Sequence, residues 1–397
     1  MSKPYEVEVA IIGGGIAGLW ILARLRLYGF KAVLFERGAL GVEQTLASQG
    51  MIHGGQKYKT EDIKSAIASM PAVWDACLEG SGEIDLRSAK VLAPYQIMWS
   101  SSKFVGNLLS FLASKFTEGH TKRINNADDY PKLFREMTGF TGRLYHLDEK
   151  VLDVKSVLEV FQRTHSGQIY RAEVLSVQRT GERLASLELS AGDESIRLIA
   201  RQFIFCAGKG NEWIAQQLGL KSQVAQRRPL KQVLVKGLSY DLYGHCIGAN
   251  ADTPRVTITA HPQRDGKYIW YLGGGVAERG AGMDDLEAIT NAFHELRSIF
   301  PFIGWEDLEW ATHTVDRAER YLDGRRPPGP QMLERENAIF AWPTKMTFAP
   351  MLANHVTESL QIAGVRPAQA DVSLPLPKVS LGRYPWELPL NWGKVKT

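Results

Sequence analysis

At 397 residues, 44% of them hydrophobic, the chain has enough apolar material for two domains or one large interleaved pair, and a disordered chain is excluded. A net charge of +4, with no dense Lys/Arg block, is too diffuse for a nucleic-acid binder but suits an anionic ligand. Three well-separated cysteines, Cys77, Cys206 and Cys246, have no metal-ligand spacing; they argue against a disulfide framework and predict a reducing, cytoplasmic setting without a metal site.

The chain opens almost directly on an apolar run, Val9-Ala10-Ile11-Ile12, which leaves no room for a signal peptide, and no apolar run approaches the length of a membrane span. The run leads into Gly13-Gly14-Gly15-Ile16-Ala17-Gly18. Apolar residues at helical spacing follow to Tyr28, and Ala32-Val33-Leu34-Phe35 ends on Glu36. Strand, glycine turn, helix, strand and acid in that order predict a dinucleotide-binding βαβ unit. Gly13 serves the tight turn, Gly15 admits a pyrophosphate close to the backbone, and Gly18 lets the helix pack on the strand. The helix N-terminus faces the phosphates, and Glu36 is placed to accept both ribose hydroxyls.

Gly38 to Lys59 reads as a loop of small and polar residues, Ser48-Gln49-Gly50-Met51-Ile52-His53-Gly54-Gly55-Gln56-Lys57-Tyr58 among them. Ser48, Gln49 and the Gly50 N–H are donors to a ligand in this reading. A helix is predicted over Glu61–Leu78, with Pro71 an awkward interior residue. A strand region follows over Lys90–Trp99, then a helix over Phe104–Phe116 and a polar loop over Asn125–Lys132. A helix is predicted over Val151–Thr164, followed by alternating strands to Leu189 with turns at Gly181 and Gly192-Asp193. Gln202–Phe205 is an apolar strand that ends in Cys206-Ala207-Gly208 before a helix over Asn211–Gly219.

The third quarter reads as a mixed, largely antiparallel segment that differs in kind from the first unit and is expected to cover the site. Its strands are Gln232–Leu238, Arg255–Ala260 and Tyr268–Leu272, with a hairpin turn at Gln263–Lys267 and an amphipathic helix over Asp285–Phe300. Asp323–Met332 reads as a loop and Ala338–Trp342 as a last core strand. Pro343–Phe348 then leads to a helix from about Ala349 to Leu360, whose N-terminus favours negative charge at the Lys345–Thr347 turn. The tail after Arg366 carries five prolines and predicts an extended strap.

Together, Gly13–Gly18, Glu36-Arg37, Ser48–Tyr58, Cys206–Gly208, Tyr271–Gly282 and Thr344–Pro350 resemble the FAD-dependent D-amino-acid oxidase superfamily. Ile52-His53-Gly54-Gly55 with the following Tyr58 looks most like its alcohol-oxidising branch, which includes glycerol-3-phosphate and 2-hydroxyglutarate dehydrogenases. The resemblance implies an α/β fold: a Rossmann-like FAD-binding domain from residues 1–85, 146–225 and 311–397, interleaved with a mixed, largely antiparallel substrate domain from 86–145 and 226–310. It implies FAD held by Gly13, Gly15, Ile16, Ala17, Gly18, Glu36, Arg37, Thr45, Ser48, Gln49, Gly50, Ile52, Val174, Ala207, Gly208, Thr344, Lys345, Met346 and Thr347. Pro343-Thr344-Lys345-Met346-Thr347 stands where the family is usually glycine-rich. A substrate-binding arginine is expected before the Gly/Pro-rich loop, with Arg317 and Arg320 the nearest candidates.

The chemistry implied is hydride transfer from a small polar, anionic substrate to flavin, at a CH–OH carbon, with a CH–NH carbon as the rival and a non-catalytic flavoprotein subunit or a nicotinamide enzyme as further alternatives. The electron acceptor stays open among oxygen, a quinone and a carrier protein. Lys345 is the candidate to stabilise reduced flavin, or else a solvated lysine at a helix start. His53 is the candidate base, a simple hydrogen-bonding imidazole, or a point of covalent flavin attachment. Arg317 is a substrate contact or a surface ion pair with Asp316 or Glu319. His261, His294 and His313 stand isolated and read as structural or exposed.

Overall fold

The computed structural model describes residues 4–54, 68–115, 121–192, 194–250, 253–367 and 373–395. Two large sheets organise them. In the first, Ala338–Trp342, Glu194–Phe205, Tyr5–Ile12, Ala32–Glu36 and Ile169–Arg171 lie side by side in parallel. The continuous apolar run at its centre is explained by burial on both faces. Val9 and Ile11 join a core with the helices Ile16–Leu27, Val154–Thr164 and Ala349–Ile362, while Ala10 and Ile12 point to the opposite core. The helix Ile16–Leu27 is buried nearly all round, against Trp74 and Phe161 among others, as an apolar helix inside a large core must be.

The second sheet runs Glu309–Arg320, Ala225–Leu238, Tyr268–Gly273, Val256–Pro262, Tyr243–Cys246, Gln96–Ser100, Arg143–Leu147 and Thr121–Ile124. Its pairs are antiparallel except Tyr243–Cys246 with Gln96–Ser100. The helix Asp285–Ile299, closed at its start by an Asp284–Glu287 capping box, packs on one face. Strand alternation divides the side chains. Trp99, Val233, Cys246, Val256 and Ile258 enter that packed core, and Met98, Gln232, His245 and Thr257 face a cavity between the sheets.

The α/β class and the mixed second layer match the sequence expectation; several boundaries move. Val151–Leu152 is a short strand paired with Val91–Ala93, and the helix begins only at Val154, because Asp153 caps it by accepting the Ser156 N–H at 2.9 Å. Pro71 lies in the first turn of a helix over Met70–Glu79, where its missing N–H removes no intrahelical bond. The earlier part of the expected Glu61–Leu78 helix, through Ile67, is outside the described residues, as are Gly55, Gln56, Lys57 and Tyr58. The expected loop Asn125–Lys132 holds a 3-10 turn over Ala127–Asp129, and the loop Asp323–Met332 gives way at Gln331 to a strand paired with Ala338–Trp342.

The expected domain divisions at 145/146 and 310/311 fall within strands of the second sheet. Glu309–Arg320 pairs along Ala225–Leu238 from end to end; we propose that the dinucleotide-binding unit resumes after Arg320. The extended tail crosses both sheets. Leu381 bridges Leu40, Gly393 bridges Trp310, and the Trp386 ring packs at a tilt against His261 with ring centres 4.0 Å apart.

Candidate active site

A cavity of about 700 Å³ lies between the sheets, within the usual range for a small-molecule site. Its floor is the glycine turn. Gly13 has φ +115°, and a methyl there would stand 2.4 Å from the Cys206 carbonyl, so only glycine lets the two strand ends meet. Gly18 lies one layer down, where a Cβ would be 2.0 Å from the Gly13 oxygen. Among the described residues the only neighbour of a Cβ added at Gly15 is Thr45 Oγ1, at 3.2 Å, and Gly15 lines the cavity. The floor is therefore tight against protein at Gly13 and Gly18 and open at Gly15, the cradle a pyrophosphate needs. No acid occupies the first turn of the following helix, and Thr45 accepts the Ile16 N–H at 3.1 Å. Glu36 ends its strand beside the turn, accepting from Gly14 N–H at 2.7 Å and Gly38 N–H at 2.9 Å.

Most of the sequence-named residues converge here. Gly13, Gly15, Ile16, Ala17, Glu36, Arg37, Thr45, Ser48, Gln49, Gly50, His53, Ala207, Gly208, Arg317, Thr344, Lys345, Met346 and Thr347 line the cavity. Gly18, Ile52 and Val174 do not. Ile52 is buried in the helix-side core, and Val174 packs beside the opposite core from the strand Glu173–Thr180. Arg320 also stands away, donating to the Met332 carbonyl at 2.6 Å.

Gln49 is a correction in kind. Its amide nitrogen donates to the carbonyls of Tyr271 at 3.0 Å and Thr257 at 3.3 Å, so it ties the loop to the second sheet rather than offering that group to a ligand. Gly273 must be glycine for this contact, since a Cβ there would lie 2.3 Å from Gln49 Oε1. Arg317 does not pair with Glu319. It donates to Glu278 at 3.3 Å and to the Arg228 carbonyl at 3.2 Å, while Arg228 grips the fully buried Glu319 through two 2.7 Å bonds. Burial and the neighbouring Arg228 guanidinium lower the Arg317 pKa.

The far wall carries the reactive groups. The His53 N–H donates to Thr347 Oγ1 at 3.1 Å, and its ring Nδ1 lies 3.1 Å from Glu149 Oε2. Glu149 is buried at 3% exposure, and its second oxygen accepts the Gly54 N–H at 2.7 Å. The His245 ring centre is 5.5 Å from that of His53. It is fixed between Thr257 Oγ1 at 2.8 Å and Gln96 Oε1 at 3.1 Å, and burial holds its pKa well below the ordinary histidine value. Lys345 stands before the 3-10 turn Met346–Phe348 that opens the last helix, and burial with the Arg326 charge lowers it to about 8. Arg326 lines the same cavity. Thr344 has φ +63°, a conformation glycine normally takes, and is held by its hydroxyl donating to the Gly329 carbonyl at 2.7 Å. The turn thus keeps a glycine-like backbone without the glycine.

Sequence reasoning missed Glu149, His245 and Arg326. Arg326 had a local signal, a cation beside Pro327-Pro328 in a loop already marked as Gly/Pro-rich. Glu149 and His245 had none, because Glu149 meets His53 across 96 residues and His245 reaches the cavity only through strand alternation.

The family model DAO, described as FAD dependent oxidoreductase, matches residues 8–359. A probable FAD-dependent oxidoreductase of Pseudomonas aeruginosa, PA4991, is 37% identical over 395 residues, covering 98% of this chain and 99% of that protein. Its crystal structure has a TM-score of 0.84 at 36% identity, covering 98% of this chain and 99% of that one. Glycine oxidase from Geobacillus kaustophilus shares the fold at 16% identity, with a TM-score of 0.64 and coverage of 96% and 99%. The L-amino acid deaminase from Proteus myxofaciens, also 16% identical, gives 0.63 over 93% and 92%. The open cradle at Gly15, the acid at the end of the second strand and the cavity between the sheets fit FAD.

Proposed function

The chain belongs to the DAO family of FAD-dependent oxidoreductases, and from that premise we propose that it oxidises a small anionic substrate at a CH–OH carbon, of the 2-hydroxy acid type. The observation that carries the reading is one cavity shared by the dinucleotide cradle, the cations Lys345, Arg326 and Arg317, and the His53 imidazole. Bound FAD supplies the hydride acceptor. In this reading Gly13–Ala17, Glu36 and Thr45 hold the cofactor's adenosine and pyrophosphate end, and Thr344–Thr347 approach its ring system. Arg326 and Lys345 bind the substrate's negative group and turn its carbon–hydrogen bond toward the cofactor. Arg317, engaged by Glu278, borders the same pocket.

Alcohol oxidation requires loss of the hydroxyl proton, and His53 takes it in this scheme. The resemblance of the Ser48–Tyr58 sequence to the alcohol-oxidising branch supports CH–OH chemistry over the CH–NH alternative. Steady-state turnover with an artificial electron acceptor tests the proposal. Glycolate, D- and L-lactate and D- and L-2-hydroxyglutarate are set against glycine, sarcosine and L-proline. Turnover of a hydroxy acid is the expected result; turnover of the amines alone overturns it.

A further inference from the structure

Glu149 lies outside the cavity lining, behind His53, and it is almost wholly buried. Each of its oxygens meets a different donor: Oε1 takes the Gly54 N–H at 2.7 Å, and Oε2 lies 3.1 Å from His53 Nδ1. Those are adjacent residues of one loop. The carboxylate therefore fixes both the backbone after His53 and the ring itself. His53 is anchored a third time by its own N–H on Thr347, next to Lys345. A carboxylate offers only acceptors, so the ring nitrogen facing it carries the hydrogen, and the other, Nε2, is left with its lone pair free.

Resting on the reading of His53 as the base, we propose that Glu149 is a positioning residue that selects the Nδ1–H tautomer of His53 and so makes Nε2 the proton acceptor. When the substrate hydroxyl delivers its proton to Nε2, the imidazolium forms against the Glu149 carboxylate, whose charge compensates it. No proton passes on to Glu149. The buried His245 beside the ring is saturated by Thr257 and Gln96, so it does not compete for that proton.

The structure makes Glu149→Gln an informative change. Oε1 is committed to the Gly54 N–H, so the amide oxygen stays there and the new NH2 faces Nδ1. That nitrogen must then accept, and the hydrogen moves to Nε2. The loop contact survives while the tautomer is inverted. The readout is the nitrogen-15 spectrum of histidine-labelled holoenzyme, with His53 assigned by its loss in His53→Gln. Anaerobic flavin reduction is followed in parallel, with the hydroxy acid that turns over fastest in wild type.

The expected result is Nδ1–H in wild type and Nε2–H in Glu149→Gln, with flavin reduction slowed about 100-fold or more and KM within about twofold. Glu149→Asp, which keeps an acceptor-only group, restores the Nδ1–H tautomer and much of the rate. An Nε2–H ring in wild type overturns the proposal. So does an unchanged tautomer in Glu149→Gln, or wild-type reduction with the tautomer inverted. If His53→Gln is itself reduced at the wild-type rate while Glu149→Gln inverts the tautomer, the base reading has failed and the Glu149–His53 contact has not.

Discussion

Replacing Gly15 by alanine separates what the glycine turn does for the fold from what it does for the cofactor. Gly15 has φ −77° and ψ 176°, extended backbone open to any residue, and among the described residues the new methyl meets only Thr45 Oγ1 at 3.2 Å. Alanine is the poorer residue at this helix N-cap, by several tenths of a kcal/mol to about 1, and this is offset by a similar gain from a less flexible unfolded chain. The apoprotein is therefore expected to stay within about 1 kcal/mol of wild type in urea unfolding. The methyl stands where the pyrophosphate must approach the turn. Loss of one charge-assisted hydrogen bond there is worth about 1.5–3 kcal/mol, or roughly 10- to 150-fold in FAD affinity. Flavin fluorescence quenching on titration of apoprotein reads that number. Gly18→Ala is the control with the opposite signature: its Cβ would sit 2.0 Å from the Gly13 oxygen, so the helix must back away from the strand, at about 1–3 kcal/mol or more. Equal destabilisation of the two apoproteins, or wild-type FAD affinity in Gly15→Ala, would refute the reasoning.

Three further perturbations test the rest of the site and its frame. Lys345 is protonated below about 8 and neutral above, so kcat/KM for an anionic substrate should fall as pH rises through that value, and Lys345→Met should remove that limb of the profile. Arg326→Leu should raise KM at least tenfold for an acid but little for its uncharged amide, with stability unchanged within about 0.5 kcal/mol because the residue is exposed. Arg228→Ala leaves the buried Glu319 carboxylate without its fork, and urea unfolding should show a loss of about 3–5 kcal/mol.

The first βαβ unit was legible because its signals are local. An apolar run, glycines at fixed spacing, a helical stretch and an acid follow one another within thirty residues, and each has one physical role. The hairpin at Gln263–Lys267 was legible for the same reason, and its Gly266 takes φ +78°. The long pairing of Glu309–Arg320 with Ala225–Leu238 was not, because those strands mix charged and apolar residues and are specified by partners far away in sequence. The same distinction runs through the site. His53 and Lys345 stood out in loops with recognisable surroundings. Arg317 was named, but its partner, Glu278, comes from a short helix that the glycines at 273–275 concealed. The side-chain amide of Gln49 reads as a ligand donor until the fold brings two carbonyls of the second sheet within reach. Thr344 shows a related limit: a β-branched residue in a left-handed conformation gives no local sign of it, and only the Gly329 carbonyl explains how it is held.

The most direct test of the central claim is rapid anaerobic mixing of the holoenzyme with single hydroxy acids and amino acids, following the flavin absorbance alone. This isolates oxidation of the substrate from the choice of electron acceptor. Bleaching by a 2-hydroxy acid in wild type, slowed strongly in His53→Gln with flavin content unchanged, is the predicted result. A flavin that no hydroxy acid bleaches, while an amino acid or secondary amine does, contradicts the account.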